Sequence, residues 1–144
     1  MGDSHLKNSL NAIGVAVGLI LVFWNAASAQ SPPLSIELNR VDQQGQACRF
    51  DWRVTNRSAS HIGAITAEFV LFDKAGVNVA RMAIPFGALP VDKSVLRSFQ
   101  LRPFDCTQVG EALLNAVLEC VAEPTLDCVA AIGVSSKDPI QLTR

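Results

Sequence analysis

Cys48-Arg49-Phe50-Asp51-Trp52-Arg53-Val54-Thr55 decides how the rest of the chain is read. Cys48, Phe50, Trp52 and Val54 alternate with Arg49, Asp51, Arg53 and Thr55. Polarity that switches at every residue belongs on a strand with one buried and one wet face. The run opens after Asp42-Gln43-Gln44-Gly45 and stops at Asn56-Arg57-Ser58, both rich in turn formers. Upstream, Leu34-Ser35-Ile36-Glu37-Leu38 alternates in the same way, and Val41 follows. Arg49, Arg53 and Arg57 lie close together, but Asp51 sits among them, so they read as a solvated strand face.

Strand patterns continue downstream. One spans about Ala64 to Phe72 and the next about Val77 to Ile84, joined by Asp73-Lys74-Ala75-Gly76, whose glycine suits a positive φ. Pro85, Gly87 and Pro90 break the pattern. Ser94 to Leu101 is strand again, ending before Pro103. Glu111 to Val121 is ambiguous: its Ala and Leu content suits a helix, while its Val and Cys and its place between strands favour a strand. Val129 to Ser135 reads as the last strand, with the tail beyond Lys137 loose or a short edge strand. About seven short strands at near-regular spacing predict an all-β chain, an immunoglobulin-like antiparallel β-sandwich. The phases put Phe50, Trp52, Val54, Phe69, Leu71 and Phe99 inward.

The N-terminal segment is of another kind. Lys7 stands in a short polar head, an uncharged apolar run covers Ala12 to Trp24, and Ala27-Ser28-Ala29 is the small-x-small pattern of a processing site. This is the layout of a secretory signal peptide over residues 1–29, cleaved after Ala29 to leave Gln30–Arg144 as one sandwich domain. The apolar run is shorter than the ~20 residues of a spanning helix, although extending it to Ala29 leaves an uncleaved membrane anchor as an alternative. No Arg-Arg pair or nearby Cys points to twin-arginine export or lipidation.

The chain carries 12 Lys and Arg against 13 Asp and Glu, a net charge of −1. With no run of like charge, it offers no footprint for nucleic acid. All four cysteines, Cys48, Cys106, Cys120 and Cys128, lie beyond the signal, and an even count in an exported chain favours two disulfides. If successive strands run up and down, Cys48 and Cys106 fall at one end of the sandwich and Cys120 and Cys128 at the other. That predicts the pairs Cys48–Cys106 and Cys120–Cys128, because strands of this length span ~20 Å and a disulfide tolerates only ~4.4–6.8 Å between Cα atoms. A metal site wants tighter cysteine pairs and more imidazole than His61 and more thioether than Met82 supply.

Phe69-Val70-Leu71-Phe72-Asp73, followed by Gly76, resembles the FxLYD signature of small exported bacterial β-sandwich domains, with Phe72 in place of the Tyr. Val54-Thr55-Asn56 is similar to the strand end that precedes it in such domains, and Pro85 to Pro90 to the loop that follows. The chain also looks like uncharacterised periplasmic proteins of alphaproteobacteria. The match covers about Leu34 to Leu101. It implies an immunoglobulin-like fold and a binding or accessory role, with no catalytic residue carried over.

No nucleophile elbow, zinc-binding helix motif or phosphate loop is present. The expectation is a periplasmic, non-catalytic binding or accessory module that contacts another envelope protein and needs no cofactor. Two alternatives stand beside it: a thiol-disulfide redox protein using Cys120 and Cys128, and a subunit tethered through an uncleaved signal. Met82 to Val91 is very apolar for a segment that must include a loop. Either it folds back over one end of the core, or Ile84, Phe86, Leu89 and Val91 meet a partner.

Overall fold

Strand β1 (Leu34–Gln44) turns through Gly45 and Gln46 into β2 (Ala47–Asn56), the alternating stretch that opened the reading. Then follow β3 (His61–Phe72), β4 (Asn78–Pro85), β5 (Lys93–Leu101), β6 (Glu111–Glu123), β7 (Ile132–Ser136) and β8 (Gln141–Thr143). This computed structural model describes residues 30–144; the expected signal segment 1–29 lies outside them. No helix among the described residues is long and apolar enough to cross a membrane.

Two four-stranded sheets form, in the orders β5-β2-β1-β7 and β4-β3-β6-β8. The all-β sandwich is therefore as expected, with two refinements. The tail supplies a short eighth strand, and two pairings are parallel, β1 with β7 and β6 with β8. Both follow from the up-and-down path. Strands an even number of steps apart run the same way, so such strands lie parallel when the sheet makes them neighbours.

Glu111–Glu123 is a strand despite its Ala and Leu content, because pairing with β3 along most of its length outweighs local propensity. The segment Val129–Ala131, expected to begin the last strand, is helical instead. It belongs to a single turn, α1 (Cys128–Ala131), whose N-terminus is capped by Asp127: the Oδ1 atom accepts a bond from the Ala130 amide at 3.1 Å.

Between the sheets lies a continuous apolar core. Phe50, Trp52, Val54, Phe69 and Leu71 are buried as their phases require, and Phe99 is half-buried on the edge strand β5. Trp52 of one sheet meets Phe69 of the other with ring centroids 4.5 Å apart, and Phe86 stands edge-on to both at 6.1 and 6.3 Å. Such aromatic pairs add ~0.5–1.5 kcal/mol beyond the area they bury. The Trp52 indole N–H has no hydrogen-bond partner among the described residues, so its packing outweighs a desolvation penalty of ~1–3 kcal/mol.

Trp52→Ala should therefore cost ~3–5 kcal/mol in a thermal or urea melt. Trp52→Phe, which also removes the orphaned donor, should cost only ~1–2 kcal/mol. Arg53 lies on the wet face, and Arg53→Ala should stay within ~1 kcal/mol. A melt series in the reverse order would overturn the assigned faces.

Candidate functional site

One end of the sandwich is closed by a single buried side chain. Asn56, at the last position of β2, is fully buried. Its Nδ2 donates to the carbonyls of Ser60 at 2.8 Å and Leu89 at 2.9 Å. Its Oδ1 accepts from the Ser58 amide at 3.0 Å and the Ser58 hydroxyl at 2.7 Å. All four hydrogen-bonding positions of an amide side chain are thus filled. The β2–β3 turn and the 86–92 loop are pinned to the same group.

That loop is the apolar segment singled out in the sequence. Leu89 exchanges backbone bonds with Ile62 at 2.8 and 3.1 Å, and the Phe86 amide donates to the Ile65 carbonyl at 2.9 Å. From β5, Arg97 donates its Nε–H to the Phe86 carbonyl at 3.0 Å. Gly87 takes a φ of 75°, so Phe86 and Leu89 can both turn inward. Ile84, Phe86 and Leu89 are buried, which corrects the view of them as partner contacts: their side chains fill the end of the core. Of the four residues considered for a contact, only Val91 is exposed, at 39%.

Beside the loop, β5 forms the edge of its sheet, bonded to β2 on one side only. Its outward phase carries Ser94, Leu96, Ser98 and Gln100. Leu96 is 59% exposed, an apolar side chain on an otherwise polar face. Neighbouring groups on that face are engaged with one another. Arg53 pairs with Glu37 at 3.0 Å, and Arg49 with Asp51 at 3.1 Å. The Ser98 hydroxyl donates to Asp51 at 2.5 Å, while Thr55 and Ser94 share a bond of 2.7 Å. A cleft of about 410 Å³ opens on the same face, lined among others by Ser35, Glu37, Arg53, Thr55 and Arg57. The three arginines of the sequence thus divide, with Arg49 and Arg53 neutralised by carboxylates on the sheet and Arg57 exposed beyond its end.

The cysteines pair as the strand path requires. Cys48 and Cys106 are bonded with Cα atoms 5.1 Å apart, and Cys120 and Cys128 with Cα atoms 6.4 Å apart. No free cysteine remains. The first bond joins β2 to a 3-10 turn, Cys106–Gln108, whose cap is Asp105. The Thr107 amide and hydroxyl both donate to Asp105 Oδ1, at 2.9 and 2.8 Å. They hold its carboxyl below the usual 3.8. Its contribution to the turn is present above that value and fades as acid protonates the folded form. The second bond seats α1 against β6, with Cys128 buried and Cys120 half-buried. His61 is exposed at the start of β3, and Met82 is buried against Phe69's strand position.

The Asp73-Lys74-Ala75-Gly76 link is a hairpin built as its residues require. Asp73 Oδ1 accepts from the amides of Ala75 at 2.8 Å and Val77 at 2.9 Å, and Gly76 has a φ of 80°. Neither Asn56 nor Asp73 announces its role by composition. Their signal is position, a polar residue where an alternating strand ends.

No family model matches the chain, and no curated protein matches it. A solved structure of IrmA from Escherichia coli is similar, with a TM-score of 0.53 and 14% identity over 75% of this chain and 93% of that one. The likeness is one of fold.

Asn56 gives a direct test of how this end is held. Asn56→Ala takes one of two donors from each of the Ser60 and Leu89 carbonyls and the acceptor from the buried Ser58 amide, and should cost ~3 kcal/mol. Asn56→Asp should cost at least as much, because it sets a carboxylate against those two carbonyls. Urea melts decide it, and an Asp variant as stable as the parent would contradict the assignment.

Proposed function

We propose that the protein is an exported, non-catalytic binding or accessory module that contacts another protein of the cell envelope, delivered to the periplasm by cleavage after Ala29. The observation that carries the reading is the closure of all four cysteines into two disulfides, one at each end of the sandwich. Bonds of this kind form and persist in oxidising compartments. A pair that works in thiol exchange is commonly exposed to its substrate, whereas Cys128, the first residue of α1, is buried.

Further support comes from how the singled-out side chains are used. Asn56 and Asp73 organise turns, Arg49 and Arg53 are paired with carboxylates, and Phe86 and Leu89 fill the core. Their chemistry is spent on shaping a rigid two-sheet body, the kind of scaffold that presents edges and loops to a partner. The FxLYD-type resemblance implies the same class of role.

The test is in-cell crosslinking of a tagged, full-length copy, with intact mass measured on the recovered protein. The expected outcome is a chain beginning at Gln30 that brings down the same envelope protein in replicate preparations. A chain that keeps residues 1–29 would favour a tethered subunit. Recovery without any reproducible partner, together with turnover of a small molecule, would overturn the reading.

A further inference from the structure

The sandwich has unpaired strand edges, and they are not equivalent. Strand β4 ends in Pro85 and shifts register against β3 between Leu71 and Phe72. Strand β6 is covered by β8 only at Glu111–Leu113. Beyond that, its pairing with β3 skips Asn115 and Leu118, so its edge is kinked. Bulges, prolines and short strands are the usual means of blunting an edge. Strands β7 and β8 are short.

Strand β5 has no bulge, proline or shortening; its protection is limited to charge, Lys93 at its start and the inward-phase Arg97, whose guanidinium also donates to the Leu96 carbonyl at 3.2 Å. It runs in unbroken register with β2 over nine pairs, from Cys48↔Leu101 to Asn56↔Lys93. Among the described residues, no backbone group outside β2 bonds to it except the Pro90 carbonyl, which accepts from the Lys93 amide at 3.3 Å. The result is ~30 Å of regular edge at ~3.3 Å per residue. Val95, Phe99 and Leu101 on its inner side remain half-buried, packed against the core but not covered by it. Leu96 stands exposed on the outer side.

Charge selects what can pair there. Within β5 the charged residues are Lys93 and Arg97, both basic; Asp92 precedes the strand, and Arg102 and Asp105 follow it. The nearest carboxylate across the sheet, Asp51, is engaged by Ser98 and Arg49. A second copy of β5, paired antiparallel about its centre, would set Arg97 against Arg97, and like charges directly opposed are unfavourable. We propose that the outer edge of β5 is the docking site for an extended, acidic segment of a partner protein, which joins the sheet as an additional strand. This rests on the accessory reading above and names the surface and the chemistry of the partner. Backbone bonds supply the affinity of such an addition, and alternate side chains meet Val95 and Phe99 on one side and Leu96 on the other.

Amide hydrogen exchange on the exported protein tests it. The probes are ten-residue peptides with Val at alternate positions and Glu, Ser or Lys between them. The Glu peptide should slow exchange of outward-facing β5 amides at least tenfold, the Ser peptide less, and the Lys peptide not at all. The exposed-site variant Lys93→Glu should weaken the Glu peptide's effect at least tenfold with an unchanged melting temperature. Absence of protection on β5, equal protection by the Glu and Lys peptides, or protection confined to β6 would each overturn the proposal. None of these results touches whether the exported protein recovers a partner, which crosslinking decides separately.

Discussion

The constraint on which this structure rests is that the chain reverses direction at every connection between strands. Eight strands laid down in this way fall into two sets of opposite direction, and each link lies at one end of the sandwich or the other. Neighbours from opposite sets pair antiparallel, as β1 does with β2 and β3 with β6. Neighbours from the same set pair parallel, as β1 does with β7 and β6 with β8. The same alternation brings Cys48 to the end where Cys106 lies and Cys120 to the end where Cys128 lies. Crossed pairs would have to reach the length of a strand, which a disulfide cannot do. Closing the long loop between Cys48 and Cys106 contributes ~3–5 kcal/mol in the chain-entropy account, and the short Cys120–Cys128 loop less.

Within that frame, the aromatic contact between Trp52 and Phe69 couples the two sheets, and the 86–92 loop seals one end of the core around it. An apolar loop is thereby explained without a partner. Phe86 and Leu89 are packed into the core, and Asn56 adds a second donor to the Leu89 carbonyl, which the Ile62 amide also bonds. What the loop leaves uncovered is the flank of β5 beside it, where Phe86 meets Phe99 at 6.1 Å and Phe99 is only half-buried. Packing at the end of the sandwich and openness at its edge are thus two sides of one arrangement.

Strands β1 to β5 were legible in the sequence because each keeps a period of two over most of its length, so buried and wet residues separate cleanly. The exceptions have physical causes. On β6 the core-facing residues are Ala112, Leu114, Val117, Cys120 and Ala122, because pairing with β3 passes over Asn115 and Leu118. The spacing is two, three, three, two, which imitates a helix face and accounts for the ambiguity of that segment. Val129 to Ala131 looked like the start of a strand, but Asp127 caps a helical turn there before β7 begins. The division of strands between sheets was not legible, since it depends on which faces meet in space. Nor was the full role of Asn56: three of its bonds go to Ser58 and Ser60 in the turn that follows it, but the fourth, to Leu89, depends on where the 86–92 loop returns, which no local pattern specifies. The disulfides were legible because end-to-end parity needs only the number of reversals.

Non-reduced peptide mapping of the exported protein, with alkylation of any free thiol before digestion, tests the account most directly. It probes the strand path and the oxidising destination together. The account predicts one peptide linking Cys48 to Cys106, a second linking Cys120 to Cys128, and no alkylated cysteine. A peptide joining Cys48 to Cys120 or Cys128 would contradict the strand path, and four alkylated cysteines would contradict export to an oxidising compartment.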